Sequence, residues 1–370
     1  MLDLTRHPRL LKLLSYADRL KGFVLRRNGE DEEAGKNLAS FYEKIWREAA
    51  ESAGAEIVTL GQGVLEIRRG DFHTRVQANA TAIDDLATHV IVRTKSVMYR
   101  LLAEQGLPVP RHFEFTLAEL PQAATFFDTL RGPCVVKPAC DTGGGLGVTT
   151  GITTRWQLAR AAQFAAFHSS HVLLEEQIPG DNYRLLYLDG ELLDAVVRHP
   201  PSVTGDGRST VAQLLQAENA ARLREGAAQA HGLVCIDLDM HRTLEHQGLT
   251  LQSVPVQGQQ VTLKTATNEN SARDNVTVTD QVCDAVVAAG ARAVRIAGVR
   301  LAGVDVLTTN PKVALEESGG VILEVNNPPG YYWHYHKRDG AFPVAEHVLR
   351  ALMKSQRDSS LAAAGAPIFS

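Results

Sequence analysis

The sequence lacks a strong excess of charge of either sign. It has 38 basic and 42 acidic residues, and its formal net charge is only −4. Such a balance gives no electrostatic reason to expect nucleic acid or an anionic membrane as a partner. A small-molecule partner is therefore favoured.

Long apolar runs and metal-type cysteine motifs are also missing. Residues 1–20 mix charged with apolar side chains, so the apolar core of a signal peptide is absent, and no segment suits a membrane span. Of the four cysteines, only Cys134 and Cys140 are close, and their spacing fits no common zinc or redox motif. We therefore expect a cytoplasmic protein with reduced, structural cysteines. The sequence does not determine the oligomeric state, and a homo-oligomer is one of the alternatives.

The 370 residues exceed the size of one ordinary core and predict two or three domains. Helical spacing of apolar residues dominates the first 55 residues, and strand and helix signals alternate after residue 110. This alternation predicts an α/β or α+β architecture. Three local predictions are a helix over residues 89–106, a hairpin joining strands 301–307 and 321–325, and a loose tail after Ser355.

A phosphate-binding pattern lies near residue 140. The apolar segment Val135-Val136-Lys137-Pro138 precedes four glycines in five positions, namely Gly143, Gly144, Gly145 and Gly147. A lysine ammonium and several backbone N–H groups can then surround one anion. The pattern is neither the P-loop nor the dinucleotide fingerprint. Taken alone, it would also suit a flexible surface loop with a chance lysine.

Further carboxylates follow apolar strands. Residues 172–174 lead into Glu175 and Glu176, which could offer acceptors to an adenine edge. Asp305, Glu324 and Asn326 occur on two strands, and Glu324 and Asn326 share a face because strand side chains alternate. Such oxygens suit Mg²⁺. The alternative is that these are satisfied polar groups within strands, although buried carboxylates are uncommon unless paired.

These residues carry a resemblance to the ATP-grasp superfamily. The order and approximate spacing of Lys95, Lys137, the glycines, Glu175 and the Asp305, Glu324 and Asn326 set match that family. The chain resembles the glutathione-synthetase-like ATP-grasp region of cyanophycin synthetases from about residue 60 to 352. The matching segments include TRVQANA (residues 74–80), VTGDG (203–207), QGLTLQSVP (247–255) and GVDV (303–306).

The resemblance implies two α+β subdomains that clamp ATP, preceded by an N-terminal domain. The implied division is an N-terminal domain at residues 1–90, a first subdomain with the glycine loop at 91–172, a second with the metal site at 173–355, and a flexible tail at 356–370. A standalone enzyme is expected, since the Mur-ligase-like half of those synthetases has no counterpart in this sequence.

The resemblance also implies roles. Lys95 and Lys137 face the nucleotide phosphates, and Glu175, Glu176 and the backbone at Ile178 hold adenine. Arg184 and Arg198 face the transferred phosphoryl group and the oxyanion. Asp305, Glu324 and Asn326 hold Mg²⁺. The implied activity is an ADP-forming carboxylate–amine ligase, which phosphorylates a carboxylate with ATP and lets an amine attack the acyl phosphate.

Departures from the family pattern cluster where the carboxylate and amine substrates are expected. The family stretch Asn-Leu-Ser-Thr-Gly-Gly is Asn268-Glu269-Asn270-Ser271-Ala272-Arg273 here. Tyr332 replaces a family arginine and precedes Trp333, His334, Tyr335 and His336, and Thr94 replaces the usual aspartate before Lys95. An aromatic, His-bearing wall indicates a different substrate. Asn268, Arg273, Tyr332 and His334 are the predicted substrate residues, with stacking or hydrogen bonding favoured over metal binding by His334 and His336.

Two other functions share these nucleotide residues. One is an ATP-grasp ligase with a thiol or carrier-protein acceptor, which differs only in the bond it forms. The other is an ATP-binding module without catalysis. The presence of every phosphate and metal residue of the pattern disfavours the second.

Overall fold

The computed structural model describes residues 28–140, 145–224, 233–267 and 269–365. Gly143, Gly144 and Asn268 lie outside the described residues, as do the first 27 residues of the predicted helical segment. The helices are α1 (Asn28–Ser52), α2 (Leu86–Arg93), α3 (Lys95–Glu104), α4 (Leu120–Phe127), α5 (Arg155–Ala165), α6 (Val211–Arg224), α7 (Leu238–His246), α8 (Asp284–Ala297), α9 (Leu315–Ser318), α10 (Tyr332–Tyr335) and α11 (Val344–Gly365).

The strands form four antiparallel sheets in the described part of the chain, in the orders β1-β2-β3, β4-β7-β5-β6, β12-β9-β8-β13-β14 and β10-β11. Helices and antiparallel strands are mixed throughout, so the predicted α+β class is confirmed. The strands are β1 (Glu56–Gly61), β2 (Val64–Arg69), β3 (Phe72–Gln77), β4 (His112–Phe115), β5 (Cys134–Pro138), β6 (Thr149–Ile152), β7 (Val172–Glu176), β8 (Asp181–Leu188), β9 (Glu191–Arg198), β10 (Ser202–Thr204), β11 (Gln260–Thr262), β12 (Asn275–Thr277), β13 (Leu301–Thr308) and β14 (Val321–Asn326).

The four-stranded sheet packs one face against α4 and α5. Helix α5 begins with a capping box, in which the Thr154 hydroxyl accepts from the Gln157 N–H and the Gln157 side chain accepts from the Thr154 N–H. In the centre of the sheet, β5 pairs with β7, so Lys137 lies opposite Leu173 and Val135 opposite Glu175. The lysine and the glutamate thus come from adjacent strands.

The five-stranded sheet is covered on both faces. Alternation along β8 directs Leu185 and Tyr187 to the core shared with α8, and Leu186 and Leu188 to a core shared with α1 and α11. Arg184 has the same parity as Leu186, so it lies on the second face. Because strand β13 pairs with β8, Asp305 is placed directly opposite Arg184.

The N-terminal and C-terminal helices pack together. Helix α1 buries residues at helical spacing, among them Phe41, Ile45 and Trp46, and α11 buries Val344, Val348 and others against the same core. Helix α11 continues to Gly365. The predicted loose tail after Ser355 is therefore wrong through residue 365, because the alanines that suggested flexibility are the strongest helix formers.

Two further local predictions need correction. Residues 89–106 form two helices rather than one, since Thr94 is extended with φ −95° and ψ 96° and separates α2 from α3. Strands β13 and β14 pair as predicted, but their connection contains the short helix α9, anchored by buried Leu315. The break at Thr94 makes Lys95 the first residue of α3.

A smaller unit is inserted between β9 and β12. It comprises β10, α6, α7 and β11, and we call residues 202–262 the inserted unit. Its own core includes Val211, Met240 and Val261. Helix α7 also packs on β6 of the four-stranded sheet, where Arg242 donates to the Gly151 carbonyl over 3.2 Å. Among the described residues, no helix combines the length and apolar character needed to cross a membrane.

Candidate active site

Lys137 forms a buried ion pair with Glu175. Its Nζ lies 2.7 Å from Glu175 Oε1 and 3.2 Å from the Tyr99 hydroxyl. The same hydroxyl lies 3.0 Å from Glu175 Oε2 and 2.8 Å from the Leu323 carbonyl oxygen. Tyr99 thus connects β7 of the four-stranded sheet with β14 of the five-stranded sheet. Burial raises the pKa of Tyr99, and the Glu175 charge adds to the effect, so the phenol stays protonated.

Lys95 contacts the second sheet directly. Its N–H donates to the Ala139 carbonyl over 3.2 Å, and its Nζ lies 2.9 Å from Glu324 Oε1. Burial alone would lower the pKa of Lys95, but the Glu324 carboxylate outweighs burial and raises it. Burial would likewise raise the pKa of Glu324, and Lys95 holds it below its usual range. Both side chains are therefore charged at neutral pH.

Asp305 is bound by two arginines. Arg184 reaches both carboxylate oxygens, through Nε to Oδ1 and through Nη2 to Oδ2 over 3.0 Å. Arg198 donates from Nη2 to Oδ2, also over 3.0 Å. Burial opposes ionisation, but the two guanidinium groups hold the pKa of Asp305 below its usual range. Gly303 leaves the space for Arg184, because a Cβ at residue 303 would lie 2.9 Å from Arg184 Cδ.

Arg198 is almost fully buried yet keeps hydrogen-bonding capacity. Its Nε and Nη2 donate to Asn182 Oδ1 over 3.0 and 2.7 Å, and its guanidinium carbon lies 5.5 Å from the Trp333 ring centroid. Its Nη1 has no hydrogen-bond partner among the described residues. Burial and then the charge of Arg184 lower the pKa of Arg198 to about 10, with Asp305 opposing the shift. A buried N–H without an acceptor can bind an anion that develops nearby.

The predicted metal ligands are neighbours. Asp305 lies opposite Glu324 in the β13–β14 pair, and Asn326 lies opposite Gly303. Asn326 Nδ2 is 3.5 Å from Asp305 Oδ2, so its amide faces the same point. Two carboxylates and an amide oxygen fit the ligands of Mg²⁺. Within the described ranges, no three His, Cys, Asp or Glu side chains could hold a metal ion by themselves. A Mg²⁺ site here would therefore need Asn326 and ligand or water oxygens.

The other residues that were predicted to bind ATP flank the predicted Mg²⁺ ligands. Glu176 Oε1 accepts from the Arg111 N–H over 3.0 Å, and Ile178 is half-buried just after β7. Gly145 and Gly147 follow the undescribed part of the loop. Gly147 has φ +77°, and a Cβ there would lie 2.9 Å from the Pro138 ring, so both its backbone conformation and its closeness to Pro138 favour glycine.

The substrate residues are placed differently from the prediction. Tyr332 is 2% exposed and His334 is 0% exposed, because α10 is packed beneath the five-stranded sheet beside Phe41. The aromatic wall does not face solvent. His334 Nδ1 lies 2.8 Å from Asp194 Oδ2, and burial lowers the pKa of His334 although Asp194 opposes the shift. Burial also raises the pKa of Tyr332. Arg273 is exposed and forms an ion pair with Glu218 of α6.

The sequence interpretation missed Tyr99, Asn182 and Glu218. A signal for Tyr99 existed, because it follows Lys95 by four residues and so shares its helix face. Asn182 had one as well, since it precedes Arg184 by two residues on the same strand face. Glu218 had none, because its pairing with Arg273 joins positions 55 residues apart.

Comparison with known proteins identifies relatives over most of the chain. Cyanophycin synthetase of Nostoc sp. is 32% identical over 296 residues, which cover 78% of this chain and 32% of that protein. The glutathione biosynthesis bifunctional protein GshAB of Mannheimia succiniciproducens is 30% identical over 292 residues, which cover 77% of this chain and 38% of that protein. The chain thus spans about a third of the length of these relatives.

The fold has a counterpart among solved structures. A crystal structure of a bifunctional glutathione synthetase from Pasteurella multocida matches with a TM-score of 0.52 and 23% sequence identity, over 82% of this chain and 42% of that chain. No family model matches the sequence. By its homologues and its fold, the chain belongs to the ATP-grasp family of ligases.

Proposed function

We propose that this chain is an ATP-dependent ligase that joins a carboxylate to an amine through an acyl phosphate. The product is an amide or peptide bond on an amino acid or short peptide. One observation carries the proposal. Two lysines and two arginines converge with three carboxylates between the two larger sheets, and all seven side chains are buried or largely buried. Such a site suits a reaction in which negative charge is transferred and redistributed.

Lys95 and Lys137 are proposed to hold the ATP phosphates. Each ammonium is already paired with a carboxylate, Glu324 and Glu175 respectively, so each lysine is held in place before ATP binds. Phosphate oxygens would replace or share these partners. Mg²⁺, held by Asp305, Glu324 and Asn326, would neutralise phosphate charge when bound.

Arg184 and Arg198 are proposed to stabilise the charge that develops during reaction. The γ-phosphoryl group of ATP passes to the substrate carboxylate and ADP leaves. The amine then attacks the acyl carbon, loses a proton and expels phosphate. Arg198 Nη1 is the N–H group that lacks an acceptor, so it is suited to an oxyanion at the acyl carbon.

The other predicted residues complete the proposal. Glu175, Glu176 and the Ile178 backbone would border adenine, although the Glu175 carboxylate is already bonded to Lys137 and Tyr99. A division into two subdomains, which the sequence predicted at residue 172, and a cytoplasmic location belong to the proposal too; because β7 pairs with β4 and β5, the division would follow β7 rather than precede it. Asn268 and Arg273 are the proposed substrate contacts. Tyr332 and His334 are buried, so they would position the Arg198 region from behind the site.

Hydroxylamine trapping tests this function. The purified chain, ATP and Mg²⁺ are incubated with a panel of amino acids and dipeptides, and hydroxamates are measured by mass spectrometry together with ADP. We expect at least one carboxylate to give ADP and its hydroxamate in equal amounts. ADP release that never yields a hydroxamate would contradict the acyl phosphate. Tight ATP binding without turnover on any substrate would instead favour a non-catalytic module.

A further inference from the structure

The TRVQANA segment ends in a tight turn that the reaction described above does not use. The Gln77 N–H donates to the Ala80 carbonyl over 3.1 Å, and the Ala80 N–H donates to the Gln77 carbonyl over 2.9 Å. Between them, Ala78 has φ +51°, a left-handed conformation that is uncommon for residues other than glycine. Its carbonyl accepts from Trp46 Nε1 of α1 over 2.8 Å. These bonds hold the next residue, Asn79, in a fixed place.

Asn79 reaches from this turn to the loop that follows β14. We call residues 327–331 the β14 loop. Asn79 Nδ2 lies 3.0 Å from the Pro329 carbonyl oxygen and 3.4 Å from the Pro328 carbonyl oxygen. A side-chain amide nitrogen carries two hydrogens, so Asn79 can donate to both carbonyls. The turn is therefore bonded to a proline 250 residues later in the chain.

Asp84 binds the start of the same loop. Its Oδ2 accepts from Asn327 Nδ2 over 2.6 Å, and that nitrogen also donates to the Leu301 carbonyl over 2.8 Å. The Asp84 carboxylate further accepts from the Arg300 and Leu301 N–H groups, over 2.7 and 3.2 Å. Asn327 is buried, so water competes little for these bonds. Asp84 thus joins the β14 loop to the start of β13.

Both ends of the β14 loop carry residues of the candidate active site. Asn326, just before the loop, is a proposed Mg²⁺ ligand, and its Nδ2 lies 3.5 Å from Asp305 Oδ2. Trp333 follows the loop, and its ring centroid lies 5.5 Å from the guanidinium carbon of Arg198. A shift of the loop would therefore move the metal ligand at one end and the aromatic ring beside Arg198 at the other.

The middle of the β14 loop packs beside the arginines as well. A Cβ at residue 303 would lie 3.2 Å from Pro329 Cβ and 2.9 Å from Arg184 Cδ. Pro329 and Arg184 therefore pack over the same glycine of β13. Because the Pro329 carbonyl accepts from Asn79, this hydrogen bond acts on a loop residue that lies beside Arg184.

We propose that Asn79 and Asp84 are positioning residues for the ligase reaction. Each fixes the β14 loop, and the loop sets the direction of the Asn326 amide and the place of Trp333 against Arg198. Removing a group that holds a metal ligand from behind commonly lowers metal affinity or activity by about ten- to a hundredfold. The inference rests on the proposed ligase function and extends it to the segment that precedes the nucleotide residues.

The affinity for ADP with and without Mg²⁺ tests the inference. Calorimetry on the full chain gives one dissociation constant with Mg²⁺ and one with EDTA, and their ratio is the gain in affinity that the metal provides. We expect Asn79→Ala to reduce this gain about tenfold, since the Asn326 amide is no longer held toward Asp305. The dissociation constant with EDTA should stay the same, because Lys95 and Lys137 are unchanged.

A neighbouring residue provides the matched control. Gln77 Nε2 donates to the Gln62 carbonyl over 3.0 Å, so Gln77→Ala removes a hydrogen bond of the same kind from the same turn rather than one to the β14 loop. Its gain from Mg²⁺ should equal that of the wild type. Asp84→Asn replaces one acceptor with a donor, so it should also reduce the gain, and it serves as the second variant if Asn79→Ala fails to fold.

The outcomes separate positioning from stability. A gain that is unchanged in both Asn79→Ala and Asp84→Asn, or equally reduced in Gln77→Ala, would overturn the inference, as would a wild type that gains no ADP affinity from Mg²⁺. Hydroxylamine trapping is independent of these titrations. Absence of any hydroxamate would count against the ligase function, while the ADP affinities would still decide the role of Asn79 and Asp84.

Discussion

The two charged clusters at the site differ in how their charges are balanced. Lys137 and Glu175 form a one-to-one pair that Tyr99 closes, and both side chains are nearly inaccessible. Asp305 instead holds two guanidinium groups, one of which keeps an N–H without a partner. The first cluster is neutral and the second has surplus positive charge.

This difference indicates a division of labour. A one-to-one pair holds the lysine ammonium at a fixed place, as phosphate binding requires, and leaves no surplus charge to attract other anions. A cluster with surplus positive charge can stabilise negative charge that develops only during the reaction. Variants of the two clusters should therefore differ in what they change, binding and stability in one case and turnover in the other.

The largest effect is expected from Lys137→Met. This variant removes a phosphate contact and leaves Glu175 buried without its cation, so ATP-dependent turnover should fall about a thousandfold. Unfolding free energy should fall by about 3–5 kcal/mol, the usual cost of breaking a buried pair. Denaturant unfolding and ADP release measure the two effects separately.

The double variant Lys137→Met with Glu175→Gln serves as the control for the first prediction. It removes both charges, so much of the lost stability should return while turnover stays low. The exposed Lys312→Met should change neither quantity. Turnover that recovers in the double variant would mean that Lys137 acts only through stability. The two clusters would then not differ in role as stated above.

A smaller loss is expected from Arg198→Lys. An ammonium cannot reach Asn182 and Asp305 and also present the free N–H, so kcat should fall about a hundredfold. The KM for ATP should change little, because Arg198 is assigned to the transition state rather than to nucleotide binding. Arg350→Lys, with its side chain 64% exposed, is the matched control. A change in the KM for ATP alone would break the division between the clusters.

Glu324→Gln should act on the metal requirement. The amide keeps an oxygen but loses the charge that pairs with Lys95, so the Mg²⁺ concentration for half-maximal turnover should rise about tenfold. Titration of Mg²⁺ at saturating ATP measures it, with the exposed Glu317→Gln as control. An unchanged Mg²⁺ requirement would remove Glu324 from the ligand set.

The smallest effect concerns Asp206, outside both clusters. Hydrogen bonds from the Ser209 and Arg208 backbone N–H groups lower its pKa from 3.8 to about 2. Its stabilising effect is therefore complete above 3.8 and is lost as pH falls toward about 2. The thermal unfolding temperature of the wild type should thus fall more than that of Asp206→Asn as the pH is lowered from about 5 to about 2. Parallel curves would show that this carboxylate contributes nothing.

Much of the candidate site could be predicted because it follows from local sequence patterns. Strand alternation places Glu324 and Asn326 together, and the order of Lys95, Lys137 and Asp305 carries the family resemblance. The rest depends on tertiary packing. No local rule indicated that the aromatic segment at Tyr332 would fold inward, or that Arg273 would meet Glu218. The tail prediction failed because the same alanines suit both a loose segment and a helix.

The Tyr99 hydroxyl links the two larger sheets through a single hydrogen atom. Its hydroxyl has one hydrogen but two acceptors within reach, Glu175 Oε2 at 3.0 Å and the Leu323 carbonyl at 2.8 Å. At any instant it can donate to only one of them. The hydroxyl proton of Tyr99 thus forms a hydrogen bond either with Glu175 of β7 or with Leu323 of β14. An ATP phosphate that draws Lys137 away from Glu175 would favour the hydrogen bond to Glu175. Hydrogen exchange at the backbone around residue 323 would then depend on whether the nucleotide site is filled.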